Sequence, residues 1–266
     1  MLTRAERAIP ALATAAFIVA STFKVALTFP LTASAQASAP EAPTLRPFEA
    51  VYKTTALGMT LDLTRSLTRD GNNYRLESSG KNFLIKMKES ADFRLTDSGI
   101  DGVRFNSKVK TLKTNNRVVE FDKERGVIRS MKRGEWSEHE MAPGVLDQFS
   151  QQQQLRLTLM QSEVPPETLQ FRVVDGAKIS DKSWRRLPNE TLQTPLGDIE
   201  AVHYKAVHKN PKKRASEIWL APHLNYLMVK TKHIERSATI KVEIKSLTWL
   251  DETDLAETDL PRDATH

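Results

Sequence analysis

The sequence contains no cysteine, so neither a disulfide bond nor a thiolate metal ligand contributes to its fold or its chemistry. Glycine is also scarce, with 10 residues in 266, and none of them forms the glycine-rich loop of a phosphate site. The formal net charge is +6, and the basic residues are too dispersed for a nucleic-acid surface. These absences exclude a disulfide-stapled scaffold and a P-loop nucleotide site, and we expect no nucleic-acid partner.

A long uninterrupted apolar run is missing too, although the first 35 residues are rich in alanine. A membrane-spanning helix needs about 20 consecutive apolar residues, and Pro10, Lys24 and Pro30 interrupt this segment. A charged start, an apolar stretch and small residues up to Ala35 are instead typical of a cleaved secretory signal. We therefore interpret residues 1–35 as a signal peptide cleaved near Ala35. A periplasmic protein with no stable membrane span after cleavage is the prediction.

The rest of the chain divides into a linker, a long patterned region and a tail. Residues 36–46 are small, polar and proline-bearing, which is typical of a flexible linker. From 47 to 250, turn signals such as Asp70-Gly71 recur at roughly 8–12-residue intervals, and apolar and polar residues alternate between them. This pattern predicts a single β-rich domain of consecutive antiparallel strands over 47–250. Residues 251–266 carry six acidic residues and no apolar periodicity, so we predict a disordered acidic tail.

One segment, residues 145–161, interrupts the strand pattern. It contains no glycine, proline or strand-like alternation, and prolines flank it on both sides. Four apolar residues fall on one face at helical spacing, namely Leu146, Phe149, Leu157 and Met160. We predict a single α-helix near 145–161 lying against the concave face of one long, strongly bent antiparallel meander. The fold class is therefore mainly β, with a sheet like a half-open barrel.

The candidates for ligand contacts lie on this helix and in the C-terminal strands. Gln153 occupies a position in the apolar stripe where a leucine is expected. It lies either at the exposed margin of the helix or inside it, as a buried polar group facing a cavity. Trp219 lies in a strand-like run, where packing in the core and lining of a ligand groove are the two alternatives. Together with Phe149 and Tyr204, these residues form the predicted ligand-binding site.

The sequence lacks a recognisable catalytic or metal-binding pattern. It contains no GxSxG elbow and no HExxH motif. Serines such as Ser216 lie in strand-like runs, where hydroxyls usually face water. His203 and His208 are an odd number of residues apart on a predicted strand, so their side chains project to opposite faces and do not converge on a metal. We predict no catalytic residues, no metal and no cofactor, and the sequence favours a protein that is not an enzyme.

Several short motifs resemble those of a family of exported bacterial proteins, the "domain of unknown function 3108" family. The helix and first-strand motifs of the family are similar to Asp147-x-x-Ser150 and Phe48-x-x-x-Tyr52. Its C-terminal signature is similar to Glu190-x-Leu192-x-Thr194-Pro195-x-Gly197, with Arg214 ahead of Ile218-Trp219-Leu220. The resemblance covers roughly residues 47–250 and assigns no catalytic residue. It implies a strongly bent antiparallel sheet, comparable with half-open barrels that shield lipid-like cargo.

These observations favour a periplasmic protein that binds a lipid-like or extended apolar ligand in envelope maintenance. A curved sheet must cover its concave face, and one short helix covers only part of it. The first alternative is a structural scaffold that engages another envelope protein. The basic run from Lys209 to Arg214 is then either its docking patch or simply a solvated hairpin tip. The second alternative is a hydrolase of envelope polymers, which the missing catalytic motifs disfavour.

Overall fold

The computed structural model describes residues 44–56, 58–111, 113–208, 210–211, 214–235 and 238–251. The predicted signal peptide, the predicted linker up to residue 43 and the predicted tail from residue 252 lie outside the described residues. No helix in the described part of the chain is long and apolar enough to cross a membrane.

The described residues form one 15-stranded sheet and one α-helix. The helix α1 spans Gln148–Met160. In chain order the strands are β1 Phe48–Ala56, β2 Met59–Asp70, β3 Asn73–Lys81, β4 Lys86–Thr96, β5 Gly99–Lys110, β6 Thr114–Asp122, β7 Val127–Lys132, β8 Glu135–Glu140, β9 Val145–Leu146, β10 Thr168–Asp175, β11 Lys178–Thr194, β12 Gly197–Ala206, β13 Arg214–Ala221, β14 Leu227–Glu235 and β15 Ala238–Trp249. A 3₁₀ turn, Pro222–Leu224, joins β13 to β14. The predicted mainly β fold with a single helix is confirmed.

The strand order follows the chain except at one junction. It runs β8-β7-β6-β5-β4-β3-β2-β1-β15-β14-β13-β12-β11-β10-β9, so two meanders are joined where β1 pairs with β15. In this junction Phe48 lies opposite Trp249 and Tyr52 opposite Ile244. All strand pairs are antiparallel except β9 with β10, because α1 lies between these two strands and reverses the connection.

Local sequence explains the individual strands. In β2, Leu61, Leu63 and Leu67 are buried while Asp62 is exposed, as expected for a strand with one face on the core. The next turn contains Gly71 at φ +56°, a left-handed conformation that glycine adopts without steric cost. The predicted alternation therefore corresponds to a real division between buried and wet faces.

The helix lies against the concave face of the sheet and packs on β4, β5, β9 and β10. Its first residue is Gln148 because Asp147 caps it, whereas Val145 and Leu146 form the short strand β9. The predicted stripe is incomplete, since Leu155 and Leu159 on other faces of α1 are buried as well. The helix is therefore enclosed by the sheet over much of its surface, leaving a glutamine-rich side open.

The two ends of the sheet approach each other across the helix without pairing as strands. The amide of Gly176, in the β10–β11 turn, donates a 2.9 Å hydrogen bond to Oγ of Ser130 in β7. Lys132 forms an ion pair with Asp175 beside it, and Arg117 lies 3.8 Å from the same carboxylate. Side chains thus bridge the gap in a sheet that stays open, like an incompletely closed barrel.

Candidate ligand-binding cavity

A cavity of about 1000 Å³ lies between α1 and the inner face of strands β10 to β14. The side of the helix that the sheet does not cover lines this cavity with Gln148, Gln151, Gln152 and Leu155. Small-molecule sites typically occupy roughly 300–1,000 Å³, so the cavity lies at the upper end of that range. It is the part of the concave face that the 13-residue helix does not fill.

Apolar side chains from both walls meet within this cavity. Leu155 of α1, Val173 of β10, Trp184 of β11 and Ile218 of β13 all contribute to its lining. The indole Nε1 of Trp184 is buried and has no hydrogen-bond partner among the described residues. Strand alternation places Ile218 and its cross-strand neighbour Thr231 on the same inner face.

Charged residues of both signs surround these apolar side chains. The basic residues that line the cavity are Lys178, Lys182, Arg214 and Lys232, and the acidic ones are Asp175, Asp181, Glu217 and Glu235. Long lysine side chains expose apolar stems and keep their charge in water. The lining therefore suits a ligand that has an apolar part and a polar or charged part, rather than a purely apolar one.

A smaller pocket adjoins the cavity and contains a buried cation. The two share Gln152 and Ile218 in their linings, and the smaller one, of about 10 Å³, has room for about one water molecule. Arg156, which is 2% exposed, donates from Nε to the carbonyl oxygen of Asn225 at 2.7 Å. Its two Nη atoms have no partner among the described residues. Burial lowers the pKa of Arg156 to about 10, so it stays protonated at neutral pH.

Two of the predicted ligand-binding residues lie on α1, and of these only Gln153 lines one of the two pockets. Gln153 is buried and lines the smaller pocket, and its Oε1 has no partner among the described residues. Of the two alternatives for Gln153, the structure therefore has the buried polar group. Phe149 is buried against Phe105, with ring centroids 5.4 Å apart, and the guanidinium of Arg65 lies 5.0 Å from its ring centre.

The other two predicted residues lie elsewhere. Tyr204 is fully buried and donates a 2.6 Å hydrogen bond to the carbonyl oxygen of Pro166, just after the helix. Trp219 lies on the opposite sheet face from Ile218, stacked on His203 with ring centroids 4.2 Å apart. Neither residue lines either of the two pockets described above. The fold does not bring all four residues together, and their role in ligand binding stays a prediction.

The stacked His203 lies between two glutamates, Glu190 and Glu217. Its Nδ1 lies 3.0 Å from Oε1 of Glu190 and its Nε2 lies 3.4 Å from Oε2 of Glu217. Burial lowers the pKa of His203, and this outweighs the opposing effect of the two carboxylates. His208 lies beyond the end of β12 and lines the cavity. Among the described residues no group of His, Asp or Glu is arranged to hold a metal ion.

Sequence reasoning missed a cluster on the cavity wall in which Ser216 and His233 face each other across β13 and β14. The register next to the turn, with Leu220 opposite Met228, would place Ser216 opposite Lys232, but a β-bulge between Trp219 and Leu220 shifts it by one residue and brings Ser216 opposite His233. A one-residue shift changes every cross-strand partner beyond the bulge. No local sequence signal marked that shift.

The described residues thus define a class of protein: an incompletely closed, barrel-like antiparallel sheet that encloses one helix and an internal cavity. The profile of the family described as "Protein of unknown function (DUF3108)" matches residues 48–245. The chain belongs to this family, and the predicted resemblance is confirmed. A search of curated proteins found no match.

One solved structure supports the fold assignment. A β-barrel-like protein of domain of unknown function DUF1849 from Brucella abortus is similar, with a TM-score of 0.53 and 9% identity over 79% of this chain and 100% of that one. A provisionally described lipoprotein from Parabacteroides distasonis has a TM-score of 0.30 and 10% identity, over 77% of this chain and 97% of that one. A provisionally described exported protein with a YmcC-like fold from Bacteroides fragilis has a TM-score of 0.30 and 12% identity, over the same shares. Only the first of these likenesses is close enough to support the fold.

Proposed function

We propose that this protein binds a lipid-like ligand in the cavity between α1 and strands β10 to β14, as part of envelope maintenance in the bacterial periplasm. The observation that carries the proposal is the cavity of about 1000 Å³, with apolar side chains inside and charges of both signs around them. An acyl chain would contact Leu155, Val173 and Ile218. Its polar end would remain near the lysines of the lining.

The N-terminal sequence pattern supports the proposed location. A charged start, an apolar stretch and a small-residue cleavage site near Ala35 support export. An exported protein without cysteine depends on its packed core for stability. A protein in this compartment meets lipids and acylated polymers, which are the ligands that the cavity lining suits.

Native mass spectrometry tests the binding. The purified mature protein is mixed with a fatty acid or a lysophospholipid, and a one-to-one complex is expected. Thr231→Trp, which places a large side chain in the cavity lining, should abolish the complex. Thr248→Trp is the matched control, because Thr248 is an exposed position in β15 outside that lining. A clean apo mass of the wild type with every acyl probe would contradict the proposal.

A scaffold that engages another envelope protein is the second candidate. It is supported by the β3–β4 hairpin tip, where Phe83 is 89% exposed and Leu84 is 47% exposed. Exposed neighbouring apolar side chains often mark contact surfaces. Cross-linking in cells followed by purification should then recover a stoichiometric protein partner that Phe83→Ser loses. Recovery of the same partner with Phe83→Ser would contradict a role for this tip.

A further inference from the structure

The hydroxyl of Ser216 lies between two imidazoles on the cavity wall. Its Oγ is 2.7 Å from Nδ1 of His233 and 3.2 Å from Nε2 of His208. All three side chains line the cavity of about 1000 Å³. A serine within hydrogen-bond reach of a histidine is the geometry in which a base can remove the hydroxyl proton.

A third group orients the closer imidazole. Oε2 of Glu235 lies 3.5 Å from Nε2 of His233, and its Oε1 accepts a 2.6 Å hydrogen bond from Nη2 of Arg214. This hydrogen bond lowers the pKa of Glu235, which keeps the carboxylate ionised. An ionised carboxylate at Nε2 favours the tautomer with its proton on Nε2. Nδ1 of His233 is then free to accept the proton of Ser216.

The second imidazole has a different role. Burial lowers the pKa of His208, and the nearby charge of Arg214 adds to this effect, although the carboxylate of Glu235 opposes it. A neutral imidazole carries one N–H, and the Nε2 that faces Ser216 can donate it. Because this donor lies 3.2 Å from Oγ of Ser216, it would also be close to the carbonyl oxygen of an ester that Oγ attacks, which is the oxygen that becomes negative.

The strands leave the serine accessible. Strands β12 and β13 are paired only from Val202 opposite Leu220 to Lys205 opposite Glu217. Beyond Lys205 and Glu217 no further pair joins β12 to β13 among the described residues, so the two strands separate next to Ser216. This separation opens the wall of the cavity where the serine lies, within two residues of the apolar Ile218.

We propose that Ser216 is the nucleophile of an esterase site, with His233 as its general base and His208 as the donor to the oxyanion. Oγ of Ser216 attacks the carbonyl carbon of a carboxylic ester while its proton moves to Nδ1 of His233. The C–O bond to the alcohol then breaks, the alcohol takes that proton, and an acyl-serine remains. Water attacks the acyl carbon, His233 passes the water proton to Oγ, and the carboxylic acid leaves.

The substrate class follows from the cavity. The acyl group of the ester would lie along Ile218 and Leu155, and the alcohol would point towards the charged residues of the lining. This part of the inference rests on the proposed binding of an acyl ligand. The chemistry of Ser216 does not depend on it, because a small phosphorylating reagent needs no acyl-binding surface.

Labelling with diisopropyl fluorophosphate tests the nucleophile. Intact-mass measurement of the wild type should show one adduct, located on Ser216 by peptide mapping. Ser216→Ala should show none, and His233→Gln should react at least about 100-fold more slowly, since general-base catalysis contributes about that factor or more. Ser246→Ala is the matched control, because Ser246 is an exposed serine of β15 outside the cavity lining, and this variant should label like the wild type. An unlabelled wild type, or equal labelling of His233→Gln, would overturn the proposal.

Hydrolysis of p-nitrophenyl esters of increasing chain length tests the substrate. The wild type should prefer the longer esters, and Ser216→Ala should lower kcat/KM at least about 100-fold. Glu235→Gln should lower kcat with KM unchanged if Glu235 positions His233, whereas an unchanged kcat would refute that role. Thr231→Trp should lose activity on long esters and keep the fluorophosphate adduct. If Ser216 is labelled but no acyl ligand binds, the proposed binding function is contradicted, whereas the role of Ser216 as a nucleophile is still supported.

Discussion

Replacing Asp147 tests how the helix is held inside the sheet. The carboxylate of Asp147 is fully buried, and its Oδ1 accepts hydrogen bonds from the amides of Phe149 at 2.7 Å and Ser150 at 3.0 Å. Its Oδ2 accepts a further hydrogen bond from the hydroxyl of Ser150. This one side chain therefore satisfies three donors at the N-terminus of α1.

The expected cost follows from these contacts. Loss of an N-cap side chain costs about 0.5–2 kcal/mol, and a buried donor left without a partner costs about 1–3 kcal/mol. Because Asp147 and Ser150 are inaccessible to water, Asp147→Ala should lower the free energy of unfolding by about 2–4 kcal/mol. Asp147→Asn keeps an acceptor at the Oδ1 position and should change it by less than about 1 kcal/mol.

The pH dependence separates the charge from the hydrogen bonds. Burial raises the pKa of Asp147 above its ordinary value of 3.8. As the pH rises through 3.8, Asp147 ionises in the unfolded chain before it ionises in the folded protein. The contribution of Asp147 to the free energy of unfolding therefore decreases between pH 3.8 and its pKa in the folded protein. Asp147→Asn does not titrate, so its stability relative to the wild type should increase over that window.

Urea denaturation followed by far-UV circular dichroism measures all three proteins at about pH 4 and pH 7. Equal losses for Asp147→Asn and Asp147→Ala would show that the carboxylate charge, and not its acceptor geometry, holds the helix. A loss of less than about 1 kcal/mol for Asp147→Ala would refute the reasoning, because water would then have to reach the freed donors.

Three further substitutions probe other parts of the sheet. The free energy of unfolding should fall as the pH drops below 6.5, because burial lowers the pKa of His203 and the unfolded chain therefore binds the proton first. In His203→Asn, the free energy of unfolding measured by urea denaturation should change less between about pH 6.5 and pH 5. Gly102→Ala should cost about 1–3 kcal/mol since its Cβ would lie 2.6 Å from the ring of Phe121, and an unchanged Tm would contradict this. Tyr52→Phe should cost about 1–2 kcal/mol in urea denaturation, because its buried hydroxyl donates a 2.9 Å hydrogen bond to the carbonyl oxygen of Met228; a cost near zero would mean that this bond is offset by desolvation.

The Ser216 cluster and the Arg156 pocket are separate features of one interior. Arg156 is a buried cation whose two Nη atoms have no hydrogen-bond partner among the described residues, and it lines the smaller pocket together with Gln152. Ser216 lies on the wall of the larger cavity. The proposed chemistry lies at Ser216, and Arg156 takes no part in it.

The local patterns that the sequence carries were sufficient for the fold class. Period-two alternation and turn residues such as Gly71 act over a few neighbouring positions, so strands and hairpins could be predicted from them. The break in that pattern at 145–161 predicted the helix. The helix begins at Gln148 and not at residue 145, because Val145 and Leu146 form the strand β9 and pair with β10. That pairing joins residues more than twenty positions apart in the chain.

What only the tertiary structure decided is which distant residues meet. The pairing of β1 with β15, the approach of Ser130 to Gly176 and the cavity left beside α1 all depend on how far the whole sheet bends. The meeting of Ser216 with His233 depends on a bulge that shifts one hairpin by a single residue. The alternation of apolar and polar residues determines which face of the sheet a side chain occupies. The bend of the sheet and the register of its strands determine which distant residues lie next to it, because bend and register arise from contacts summed over many strands.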